Sequence, residues 1–97
     1  MITVLHVPAD MDKPAALMDI EHTLDEFQTL VGGMIESLPT APGYANEEGL
    51  LIGLPYNPRA SAMCDYDLCG DVVFTGGVDA EGEDLPVSDE FVGRWFG

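Results

Sequence analysis

The chain has 97 residues, 46% of them hydrophobic, with 3 Lys plus Arg against 18 Asp plus Glu and a net charge of -15. That length allows one domain with a single core and little to spare, and the apolar share is usual for a folded chain. The charge sets it against direct contact with nucleic acid or anionic lipid, no apolar run reaches the ~18 residues of a membrane span, and MITVLHVPAD lacks the n-region and h-region of a secretory signal, so a cytoplasmic protein is expected.

ITVLHV (2–7) is β-branched and apolar and stops at Pro8, which predicts a strand covered on both faces, with His6 as a half-buried strand histidine. PADMDKPA (8–15) is a loop, and LMDIE (17–21) alternates as a short strand. Thr23 with Glu26 three residues on is a capping box, and Asp25 and Glu26 suit the positive end of a helix dipole. Leu24, Phe27, Leu30, Val31 and Met34 recur at helical spacing, and Gly32-Gly33 supplies the stop. A helix over 24–31 docked on a sheet follows, its stripe being core.

MIESL (34–38) alternates as a strand, PTAPG (39–43) breaks it, and Tyr44-Ala45 resumes as an edge strand. Asn46 to Gly49 reads as a turn and LLIGL (50–54) as the antiparallel strand that returns from it, with Gly53 at a bulge or close approach. Asn57 before Pro58 is a helix-start signature, predicting one turn over 58–63. DYDLCGD (65–71) is a loop, VVFTGG (72–77) a strand, and the acidic VDAEGEDLP (78–86) a mobile loop. Ser88 caps a final helix with Phe91, Val92, Trp95 and Phe96 on its apolar face and Arg94 near its end. No internal repeat or strict βαβ alternation is present. The expected fold is α+β, a mostly antiparallel sheet with two main helices packed on one face.

Little in this order carries recognisable chemistry. A nucleophile needs a nearby base, yet His6 and His22 stand in no known constellation, and no nucleophile elbow, P-loop or dinucleotide fingerprint is present. Calcium loops fail from both acidic starts: from Asp65 the twelfth position is Gly76, and from Asp79 the required glycine is Asp84 and Pro86 intrudes. Cys64 and Cys69 lack the second pair that a zinc site wants, and they read as reduced thiols beside a strand. No metal, no cofactor and no catalytic residue is therefore expected.

The acidity has three readings: a solvated surface, a surface that docks a basic partner, and imitation of DNA with carboxylates in place of phosphates, which needs them arrayed along one face. Within NEEGLLIGLPYNPRA (46–60), every Gly, Pro and Asn has a backbone reason; if the stretch also binds, Tyr56, Asn57 and Arg59 are the exposed groups expected to do so. Arg59 either pairs with a neighbouring carboxylate, or anchors its loop to the body of the protein or recognises an anionic partner.

The same order of features resembles a known family. An opening ITVLHV, a helix of the LDEFQTLVGG kind running into MIESL, and the pattern N-E-E-G-x-L-x-G-L-P-x-N from Asn46 to Asn57 with Arg59-Ala60 after it come first. CGDVVFTGG (69–77) and a closing S-D-E-F (88–91) complete it. The whole is similar to a small prokaryotic and phage family catalogued as domain of unknown function 3846, although lysine is rarer and the acid excess stronger here. The resemblance implies an accessory protein that acts by binding a host factor. The expectation is a non-enzymatic phage-type binder of a host protein with a basic surface. The alternatives are a DNA mimic that inhibits a nucleic-acid-binding protein, and a small ligand-binding domain or enzyme. Oligomeric state is open; an exposed edge strand, or Trp95 and Phe96 left uncovered, would favour a dimer.

Overall fold

The structure, a computed structural model, describes residues 1–96. Five strands, β1 (Ile2–Val7), β2 (Ala16–Ile20), β3 (Ile35–Ser37), β4 (Gly43–Asn46) and β5 (Val72–Phe74), form one sheet in the order β2-β1-β5-β4-β3. Every pairing is antiparallel. Three helices, α1 (Leu24–Val31), α2 (Pro58–Cys64) and α3 (Asp89–Phe96), complete an α+β fold.

β1 and β5 are central, and their alternation splits the core in two. Ile2, Val4 and Val73 point to one face, where Phe27 and Val31 of α1 close a cluster with Ile20. Leu5, Val7, Val72 and Phe74 point to the other, where Ala60 and Cys64 of α2 cover them and Phe91 and Val92 of α3 pack alongside. The Phe74 and Phe91 rings lie 5.1 Å apart. The continuous apolar runs ITVLHV and VVF thus have both faces covered, as such runs require. The helices divide between the two faces where one face was expected, because the strands have an apolar side in each direction.

Most helix signals act where the sequence places them. The Glu26 N–H donates to Thr23 Oγ1, and the N–H groups of Gly32 and Gly33 both return to the Gln28 carbonyl. Gly32 takes the left-handed conformation, with φ 80°. The stripe is narrower than its spacing suggested: Phe27 and Val31 are buried, whereas Leu24 and Met34 are exposed. The Phe91 N–H donates to Ser88 Oγ at the start of α3.

Three sequence expectations are corrected. Tyr44 and Ala45 lie in an interior strand, since β4 pairs with both β3 and β5. Gly43 makes the close approach possible: a Cβ there would stand 2.3 Å from the Val73 carbonyl oxygen. LLIGL forms no strand, because both edges of β4 are taken; residues 47–53 instead wind into consecutive turns, with Ile52 N–H to Glu48 O and Leu54 N–H to Gly49 O. Finally, 76–87 is an organised hairpin. The Gly76 N–H donates to the Leu85 carbonyl across it and the Leu85 N–H to the Gly77 carbonyl, and Asp79 Oδ1 accepts the N–H groups of Glu81 and Glu83.

Candidate interaction surface

The exposed face of the 47–53 turn carries three consecutive apolar side chains, Leu50, Leu51 and Ile52, at 82%, 86% and 57% exposure. Single exposed leucines are ordinary. A run of three is a defect of surface patterning unless something covers it. The turn cannot fold them inward because its base is fixed. Asn46, itself buried, accepts the Glu48 N–H and donates from Nδ2 to the Val31 carbonyl. A Cβ on Gly49 would stand 2.7 Å from the Cys69 carbonyl oxygen, so the turn presses its backbone on the 65–71 loop.

Between turn and loop lies a hollow of about 230 Å³. Ala45, Leu50, Leu51 and Leu68 give it apolar walls, Tyr66 an aromatic ring, and Glu36, Glu47 and Asp67 a rim of carboxylates. Glu36 stands on β3 opposite Ala45, at the sheet edge. No lining residue is basic, and among the described residues no Lys or Arg pairs with any carboxylate. All the acidic side chains except Glu26, Asp71 and Asp84 are exposed.

The three residues expected to bind part company. Tyr56 is 52% exposed and borders this surface, bridging to Cys69 through its backbone and donating from Oη to Asp67 Oδ1 at 3.3 Å. Asn57 is fully buried. Its Oδ1 caps α2 by accepting the Ala60 N–H, and its Nδ2 donates to the carbonyls of Val7 and Gly70, both at 2.9 Å. Arg59 makes no ion pair among the described residues; one guanidinium nitrogen donates to the carbonyls of Pro8 and Asp10, at 2.6 and 3.1 Å. It anchors α2 to the loop after β1, which is the second of its expected roles. Its Nε is buried without a partner among the described residues.

Sequence reading missed the turn as a surface because a short apolar run between turn signals reads as a strand. It missed Glu36, Tyr66, Asp67 and Leu68 because nothing local ties them to residue 50. LLIGL follows β4, whose two edges are taken by β3 and β5, and so has no free edge to join.

Other polar groups are engaged structurally. His6, half-buried on β1, bonds Asp71 at 2.9 Å. His22 lies between Asp84, at 3.0 Å, and Glu83, at 3.4 Å, and so fastens the 76–87 hairpin to the start of α1. Tyr44 Oη donates to the same Asp84 at 2.5 Å. Burial, reinforced by this hydrogen bond and the Asp84 charge, pushes the phenol from 10.0 up to about 12. The raised value has a definite sign: the neutral phenol stabilises the fold fully below pH 10.0, and that contribution is lost as pH rises through about 12. Urea unfolding at alkaline pH is expected to show this loss in the native chain and a smaller one in Tyr44→Phe. Equal slopes in both would remove the assignment.

Both cysteines are free thiols; Cys64 is buried, and burial raises its pKa, while Cys69 is half-buried in the hollow. Among the described residues no group of three or more His, Cys, Asp or Glu is placed to hold a metal ion, and no helix is long and apolar enough to cross a membrane.

A family model described as "Domain of unknown function (DUF3846)" matches residues 2–97. No curated protein and no solved structure matches the chain.

Proposed function

The chain belongs to the DUF3846 family, and on that premise we propose that it is a non-enzymatic acidic binding module that docks on a basic surface of a partner protein. The setting we propose is that of a phage-type accessory protein acting on a host protein in the host cytoplasm. One observation carries the reading: Leu50, Leu51 and Ile52 stand exposed on a fixed turn, beside carboxylates that no Lys or Arg among the described residues neutralises. Apolar side chains supply affinity when they leave water, at about 1.5–3 kcal/mol for a leucine. The surrounding charge steers the encounter and selects a partner of opposite sign.

The test is capture of a partner from host lysate, followed by titration of the purified complex across ionic strength. The affinity is expected to fall steeply with salt, since exposed charges are screened beyond ~10 Å at ~0.1 M. A complex indifferent to salt would remove the electrostatic part of the proposal. The wide exposure of the carboxylates also favours a second reading, a DNA mimic. Competition between this chain and duplex DNA for one site on the partner supports mimicry, and simultaneous binding excludes it.

A further inference from the structure

Resting on that docking reading, we propose that the hollow beside the 47–53 turn receives an arginine side chain of the partner. The argument is one of matching chemistry. The hollow pairs apolar walls (Leu50, Leu51, Leu68) with one aromatic ring (Tyr66) and three carboxylates (Glu36, Glu47, Asp67). A purely apolar occupant would strip water from the carboxylates and give nothing back. An anionic occupant is repelled. A lysine offers a charge, but it is a compact and strongly hydrated one that uses the ring and the walls poorly. Arginine answers every element of the lining. Its methylene stem lies along apolar surface while the head stays polar. Its flat guanidinium stacks on an aromatic face, and its fork of N–H donors matches carboxylate geometry.

The carboxylates are available for this role. Tyr56 occupies only Oδ1 of Asp67 and leaves Oδ2 to a ligand. Glu36 and Glu47 are exposed, and no side-chain hydrogen bond or ion pair joins them to another described residue. The chain's own cations do not fill the hollow. Arg59 is held by the Pro8 and Asp10 carbonyls, and neither Lys13 nor Arg94 is among the lining residues. Ile52, which does not line the hollow, would then meet an apolar residue that flanks the arginine in the partner.

The test uses the full chain, labelled with ¹⁵N and titrated with N-acetyl-arginine amide, with the lysine and norleucine analogues as controls. The expected result is saturable shifts confined to amides lining the hollow, with arginine about threefold or more tighter than lysine. In the Glu36→Gln, Glu47→Gln, Asp67→Asn variant the arginine affinity is expected to drop about tenfold. These neutral, isosteric changes at exposed positions leave the fold intact, which far-UV circular dichroism checks. Amide shifts spread over acidic segments all round the protein, a response equal for lysine, or an unchanged triple variant would each overturn the proposal. The two levels remain separable. A captured partner whose salt-dependent binding ignores the triple variant sinks the arginine site and leaves the docking reading standing, whereas salt-indifferent binding sinks the reading beneath it.

Discussion

Asn57→Ala is expected to cost about 2–4 kcal/mol of unfolding free energy, the largest loss from any polar side chain in this fold. Two separate losses add. The Oδ1 cap on the Ala60 N–H goes, and a helix cap is worth typically ~1 kcal/mol. The carbonyls of Val7 and Gly70 also lose the donor that joins them, at ~1–3 kcal/mol for a buried group left unpaired. Asn57 is wholly buried, so water cannot stand in for it without opening the core. Domains of this size are stable by only ~5–15 kcal/mol. The variant should therefore melt about 10–25 °C lower. Asn57→Ser keeps a cap acceptor but drops the double donor, and should fall between the two. Thermal and urea unfolding decide it: a loss under ~1 kcal/mol would mean that the three contacts are not the tie described here. One of the three residues expected to bind a partner thus ties α2, the end of β1 and the 65–71 loop together.

The double change Leu50→Ser, Leu51→Ser should do the opposite. Both side chains are more than four-fifths exposed, so removing them leaves the core untouched. Stability is expected to stay within ~0.5 kcal/mol, as for surface changes in general. Affinity for the captured partner is expected to fall about 100-fold, equivalent to roughly 3 kcal/mol, the scale on which a few central apolar anchors dominate an interface. Calorimetry on the purified complex, with a melt of each variant, reads both quantities. Full affinity in the double variant would leave charge alone to explain binding. A large drop in melting temperature would show that the leucines pack within the fold.

What was legible locally and what was not follow from the range of the forces involved. The Thr23 and Asn57 caps, the Gly32 stop, the Pro58 start and the continuous apolar run of β1 each depend on a few neighbouring residues, and each stands where the sequence puts it. So does the half-buried histidine on β1. The same local signals fail at LLIGL. A strand is completed only by a partner, and whether an edge is free depends on which distant segments have already paired. β4 accepts β3 on one side and β5 on the other, and that places residues 50–52 in solvent.

The candidate site divides in the same way. Tyr56 is exposed as expected, because a Pro-bounded turn exposes what it carries. Asn57 and Arg59 looked equally exposed, but the ends of β1 and β5 come together beneath the start of α2 and draw both into backbone contacts. Glu36, Tyr66 and Asp67 join Leu50 and Leu51 only through the sheet edge and the packing of Gly49 on Cys69. The family, the α+β class, the helix starts, the Gly32 stop and the excess of negative charge were legible from the residues alone, because these are sums or short-range preferences; α2 runs one residue beyond the single turn expected over 58–63. Only the tertiary structure decided which face each helix covers, which polar residues are consumed in the core, and where apolar and acidic groups meet at the surface, because those depend on contacts between residues far apart in the chain.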